Sequence, residues 1–139
     1  MVPEINWLAV IVATVATMII GSVWYMPQTF GTWWEKAARV ERNRNGFIAI
    51  AVGIVAGFIT SWVLAGAAAI AHEFYGGSFL QNSVVTAIIL WFGLTAVRLA
   101  THDAFENRPA KLTLLNVAHE LVVFLAISLI IGLFGISAA

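Results

Sequence analysis

The sequence predicts an all-α integral membrane protein in which four transmembrane helices form one bundle. Its composition is the first indication: 61% of the 139 residues are hydrophobic and only 10% are charged, whereas soluble domains carry about 25% charged residues. The second indication is that the apolar residues are gathered in four stretches. Each stretch is long enough to cross a bilayer, which takes about 20 predominantly apolar residues.

The four stretches lie close together in the sequence and leave no room for a second domain. We predict a single domain over residues 1–139, with spans at 5–26, 46–74, 79–104 and 110–136. The connection between the last two spans is short, so these two helices should form an antiparallel hairpin that turns near Asn107. Pro109 suits the first turn of the fourth helix, where a missing N–H group costs nothing.

Basic residues are confined to the first and third connections and the span ends beside them. They are Lys36, Arg39, Arg42, Arg44, Arg98, Arg108 and Lys111. Loops rich in Lys and Arg face the cytoplasm. We therefore expect both chain termini to lie outside the cytoplasm.

The first connection contains a short amphipathic pattern. From Phe30 onward, apolar residues that include Trp33 and Trp34 recur at helical spacing, with charged residues on the opposite face. This pattern predicts a helix lying on the membrane surface between the first two spans. Trp24 and Tyr25 stand at the end of the first span, and we interpret all four aromatic residues as interfacial anchors.

Small residues recur at every fourth position in the second span, where they include Gly53, Gly57 and Ser61. A similar row in the first span ends at Gly21. Helices in lipid associate through close packing of such residues. The two rows predict tight packing of the first two helices within one chain, although the same rows could form the interface of a homodimer.

Glu120 is the least expected residue of the fourth span, because a carboxylate at membrane depth is costly unless it is paired, hydrated or functional. Asn116, His119 and Glu120 stand at positions i, i+3 and i+4, which share one helical face. Counting residues from the hairpin turn places Arg98 at the same membrane depth as Asn116 and roughly 6 Å along the helix axis from the depth of Glu120. We therefore predict one cluster that contains Arg98, Asn116, His119 and Glu120.

Two interpretations of this cluster stay open. It could bind an ion or a polar ligand, or Arg98 and Glu120 could form a purely structural ion pair between the two helices. We predict no metal site, because the other histidine of this hairpin, His102, should lie roughly 10 Å along the helix axis from His119.

Other classes of function are disfavoured by the composition. The chain has no cysteine and a formal net charge of zero, so neither a thiolate metal site nor a nucleic-acid partner is expected. No catalytic set or phosphate-binding glycine loop is recognisable. We therefore expect no enzyme activity and no cofactor.

Two motifs resemble a bacterial membrane family catalogued as domain of unknown function 1761. The first runs from Asn6-Trp7-Leu8-Ala9 through Gly21-x-x-Trp24-Tyr25-x-Pro27 and Phe30-Gly31 to Trp34; the second comprises Phe105-Glu106-x-Arg108-Pro109-x-Lys111-Leu112, Leu115-Asn116 and the region of His119. The resemblance implies a small four-helix protein of a bacterial cytoplasmic (inner) membrane. It supplies no activity, so no residue role follows from it.

Two functional hypotheses follow. In the first, the protein is a transporter-like or channel-like module that binds an ion or polar ligand and acts as a homo-oligomer. In the second, it is a non-catalytic scaffold or accessory subunit for a membrane-protein partner, assembled through its small-residue rows.

Overall fold

A computed structural model describes residues 3–41 and 46–137, and the elements in these ranges are all helical. The all-α fold class is therefore confirmed. Arg42 and Arg44, two of the basic residues in the first connection, lie outside the described residues. The helices are α1 (Trp7–Trp24), α2 (Gly31–Ala38), α3 (Phe47–Tyr75), α4 (Phe79–Leu90), α5 (Val97–Phe105) and α6 (Ala110–Phe134).

Four helical segments are long and apolar enough to cross a membrane, as predicted. They are α1, α3, the continuous helix Phe79–Phe105 and α6. Within the third of these, a π-helical segment at Trp91–Ala96 joins α4 to α5. The ends of all four lie within two residues of the predicted spans.

The helices form a square bundle in chain order. α1 packs against α3 and α6, and α4 packs against the same two helices. Asn6 closes one end, because its side-chain amide donates to the carbonyls of Phe134 (3.4 Å) and Gly135 (3.2 Å). We call this the terminal end, and we call the opposite end, with α2 and the turn before α6, the basic end.

The half of the bundle next to the terminal end is tightly packed. Its core combines apolar side chains from all four helices, among them Val10, Leu64, Ala87 and Ile127, each no more than 2% exposed. Hydroxyl groups inside this half mostly bond to the backbone of their own helix, as Thr14 does to the carbonyl of Val10 at 2.7 Å. The polar atoms therefore add little strain to a core held by close packing.

The closest approach between α1 and α3 occurs at Gly57. A β-carbon at this position would overlap the hydroxyl of Thr17. Gly53, one turn away, leaves more room, since a β-carbon there would meet only the Met18 side chain at 3.5 Å. The small-residue rows therefore pack within the chain, with Gly57 at the tightest contact.

The half next to the basic end is much more open. The first ten residues of α3, from 47 to 56, include no buried residue. In α1 the buried positions end at Thr17, and in α6 the regular buried series starts only at Val123. α3 therefore stands apart from α1 and α6 over this half.

The turn between α5 and α6 is fixed by a buried acidic residue. Asp103 is 6% exposed and accepts a hydrogen bond from the Thr113 hydroxyl at 2.7 Å. Arg108 lies 3.8 Å from Asp103 and 2.5 Å from Glu106. These contacts close the predicted hairpin at its basic end.

The difference between Gly53 and Gly57 predicts different effects of one added methyl group. Gly57→Ala should lower the free energy of unfolding by about 1–3 kcal/mol, because overpacking at a tight contact displaces α1 from α3. Gly53→Ala on the same helix should be close to neutral, since the flexible Met18 side chain can move. Reversible unfolding in mixed micelles measures both values, and equal stabilities would show that Gly57 is not the tight contact.

Candidate functional site

Asn116 is the centre of a hydrogen-bond network at the basic end. Its side-chain oxygen accepts from the Tyr25 hydroxyl at 3.1 Å and from the Trp34 indole at 3.1 Å. The rings of Tyr25 and Trp34 meet edge to face, with centroids 5.5 Å apart. One amide of α6 therefore holds the end of α1 and the surface helix α2 in place.

The chain reverses between α1 and α2 so that Trp34 can reach Asn116. The Thr29 hydroxyl lies 2.5–3.0 Å from three carbonyl oxygens at the end of α1, those of Val23, Trp24 and Met26. Gly31 is buried, and a β-carbon there would overlap the backbone of Tyr25. This close approach brings α2 against α6.

His119 lies between the aromatic residues at the end of α1. Its ring centroid is 5.0 Å from that of Tyr25 and 5.7 Å from that of Trp24. Nδ1 is 3.2 Å from the carboxylate of Glu120. Nε2 is buried without a hydrogen-bond partner within the described part of the chain. An unpaired buried polar atom is unfavourable, so a ligand or a water molecule beside Nε2 would stabilise this arrangement.

A cavity of about 510 Å³ opens beside His119 and Glu120, between α1, α3 and α6. We call it the vestibule. The side chain of Glu120 is 34% exposed and that of His119 12%. The remaining lining comes mainly from small and apolar residues of α1 and α3, including Gly21, Ser22, Gly53, Ala56, Gly57 and Thr60.

The vestibule exists because the sequence places few bulky side chains on this side of α3. Gly53 and Ala56 leave space where larger residues would fill the gap between α3 and α6. Gly21 has a similar role on α1, where a β-carbon would lie 3.7 Å from His119 Nε2. Residues predicted only as packing positions therefore also form the vestibule wall.

The vestibule has an acidic character. Glu120 is its only carboxylate, and neither Lys nor Arg occurs among the described residues that line it. The described lining therefore offers one carboxylate and no basic side chain of Lys or Arg. Such a site favours a cation or a proton.

Arg98 does not join this cluster, and the predicted Arg98–Glu120 contact is wrong. Arg98 is exposed and makes no ion pair with Glu120. Arg98 lies on a different side of its helix from the residues beside α6. Ala96 and Ala100 line the groove between this helix and α6. Arg98 lies two residues from the buried Ala96, about 200° around the helix axis, and is exposed. The hairpin is closed instead by Asp103 and Thr113.

The other predicted site residues have varied positions. His119 and Glu120 pair and line the vestibule, whereas Asn116 is outside the described lining and bonds to Tyr25 and Trp34, which were interpreted only as anchors. Trp24 packs against His119, and Trp33 is 41% exposed beside α6. Ser61 is fully buried, and its hydroxyl has no partner among the described residues.

Tyr25 and Trp34 could have been identified from the sequence. In a four-helix bundle in which the first and last spanning helices are neighbours, the end of α1 lies beside the start of α6. Membrane depth along α1 and α6 can therefore be compared by counting residues, as was done for Arg98. That count brings the end of α1 near Asn116. Both aromatic residues also fit the role of interfacial anchors, so their positions in the sequence do not by themselves indicate a bond to α6.

A metal centre is not evident at the site. Within residues 3–41 and 46–137, no group of three or more His, Cys, Asp or Glu side chains could hold a metal ion. The His119–Glu120 pair supplies two candidate ligands from adjacent positions.

The fold and the vestibule define a multi-pass helical membrane protein with a polar pair inside one half of its bundle. The chain belongs to the family described as protein of unknown function (DUF1761), whose model matches residues 8–132. The resemblance seen in the two sequence motifs is thereby confirmed. No curated protein and no solved structure matches the chain.

Loss of the Asn116 side chain should release α2. Asn116→Leu leaves the Tyr25 and Trp34 donors without their acceptor, and each lost bond is worth about 1 kcal/mol. Amide exchange of residues 31–38 should therefore accelerate by about tenfold or more. Asn82→Leu, at the terminal end, is the control and should leave this exchange unchanged; equal protection in the two variants would contradict the proposed role of Asn116.

The position of Arg98 gives a second prediction. Arg98→Gln should leave the free energy of unfolding nearly unchanged, because its side chain is exposed and forms no bond to α6. Asp103→Ala should lower it by about 1–3 kcal/mol, since Thr113 and Arg108 lose a buried acceptor. Unfolding in micelles compares the two, and a larger loss for Arg98→Gln would restore the predicted ion pair.

Proposed function

We propose that the protein binds a small cation in the vestibule, as a transporter-like or channel-like module rather than an enzyme. The observation that carries this proposal is the pairing of Glu120 with His119 inside a cavity whose lining, among the described residues, includes neither Lys nor Arg. A carboxylate at membrane depth needs a counter-charge or water. Arg98, its predicted counter-charge, forms no ion pair with Glu120, so we expect the counter-charge to be a cation that enters the vestibule.

The chemistry of the lining favours a monovalent cation or a protonated amine. Glu120 supplies a single negative charge, and His119 supplies a nitrogen that can accept or donate a hydrogen bond. The Tyr25 ring and the apolar wall beside them suit the organic part of an amine, because aromatic faces attract cations. A divalent metal ion would need more oxygen ligands than this pair provides.

The orientation of the chain determines the side of the membrane on which the vestibule lies. The basic end carries Lys36, Arg39, Arg108 and Lys111, which favours a cytoplasmic position for this end in a bacterial inner membrane. The termini would then lie outside, and the vestibule would belong to the cytoplasmic half of the bilayer. The packed terminal half would close the path to the other side.

Action as a homo-oligomer is part of the proposal. Three helices bound the vestibule, and Ile50 and Ala56 of its α3 wall are exposed. A second copy, or water held between copies, would shield Glu120 from lipid. This is the reason to expect a conduit between protomers rather than through one bundle.

A scaffold role has less support. It depended on the small-residue rows and on the amphipathic segment at Trp33 and Trp34 as surfaces for a partner. Gly57 of these rows packs against Thr17 of the same chain, and Trp34 bonds to Asn116. The open vestibule also has no purpose in a protein that only joins others.

Glu120→Gln tests the proposal. At equal chloride concentration, the melting temperature of the purified wild-type protein should differ between sodium chloride and the chlorides of ethylammonium and tetraethylammonium. Either the organic cations or sodium should stabilise the protein more. In the variant this cation preference should disappear, because the side chain keeps its size and loses its charge. The measurement is a thermal melt in detergent, repeated as cation uptake into proteoliposomes.

Glu106→Gln is the matched control. It removes one negative charge at the same end of the bundle, outside the vestibule, in an exposed pair that contributes little. The control should keep the cation preference of the wild type. If wild type and Glu120→Gln respond identically to every cation, the vestibule is not a cation site.

A further inference from the structure

A second concave surface lies on the outer side of α6, away from the vestibule. It is a groove of about 480 Å³ between α6 and the segment that joins α1 to α2. Leu115 and Ala118 of α6 and the rings of Trp24, Phe30 and Trp33 contribute its apolar lining. We call it the interfacial groove.

Lys111 is the only charged residue of the described lining of this groove. It is exposed, and it has no ion pair with any residue in the described ranges. It also stands in the first turn of α6, and the N-cap residue of this helix, Pro109, makes no side-chain cap hydrogen bond. The ammonium group and the uncapped helix start therefore place positive potential at the same point.

One aromatic ring of the groove has an indole N–H group without an acceptor among the described residues. Trp24 contributes to its lining, and the Nε1 atom of this indole is buried without a partner among the described residues. A buried N–H group without an acceptor costs free energy. This N–H group is buried, so it does not form part of the open surface of the groove.

We propose that the interfacial groove binds an anionic phospholipid. One acyl chain lies against Leu115 and Ala118 between the aromatic rings, and the phosphate contacts Lys111. The groove lies at the basic end, where Trp33 of the surface helix and Lys111 mark the boundary between lipid and water. A free phosphate ion would gain nothing from the apolar walls, whereas a zwitterionic lipid would bring a cationic group towards Lys111.

The charge preference can be measured by native mass spectrometry. The full chain is released from micelles that contain phosphatidylglycerol and phosphatidylcholine with identical acyl chains. We expect wild type to retain phosphatidylglycerol at least about fivefold more often, the factor expected for one basic residue at an anionic surface. Equal retention of the two lipids would overturn the proposal.

Two variants locate the bound lipid. Lys111→Gln should abolish the preference, while Lys36→Gln, an exposed lysine on α2 that does not line the groove, should preserve it. Ala118→Phe fills the groove and keeps every charge, so it should lower retention of both lipids by a similar factor. If Lys36→Gln removes the preference as fully as Lys111→Gln does, or if Ala118→Phe changes nothing, no specific site exists at the groove.

Discussion

The close contact between α1 and α3 at Gly57 and Thr17 is the constraint on which the rest of the bundle depends. Lipid gives apolar side chains no reason to leave it, so the helices associate where small residues let their backbones approach. In this chain the approach is concentrated in the half near the terminal end, where all four spanning helices contribute to the core. The other half is consequently free to carry polar residues and empty space.

The basic half is held by a different kind of interaction. Here Asn116 ties α1 and α2 to α6 through two hydrogen bonds, and Asp103 ties α5 to α6 through Thr113. Directional bonds between a few polar atoms fix positions without filling volume. That is why a cavity of about 510 Å³ can persist beside His119 and Glu120 although α1 and α6 are held together at this end.

The sequence was sufficient for the fold because hydropathy and helix length decide membrane spans almost alone. It was also sufficient for the shared face of Asn116, His119 and Glu120, which follows from helical spacing within α6. Arg98 was misplaced because the depth count fixes a level in the membrane but not a direction around the helix. The vestibule could not be predicted from the sequence. It depends on the point at which α3 separates from the other helices, and the row of small residues continues past that point without indicating it.

The unburied start of α3 has a consequence for motion. Residues 47 to 56 contribute nothing to the core, so tilting this segment about Gly57 would remove almost no apolar area from contact. The width of the vestibule can therefore change at a low cost in free energy, while the rest of the bundle keeps its packing. Access to Glu120 can vary by thermal fluctuation of one helix end, while the seal at the terminal end stays intact.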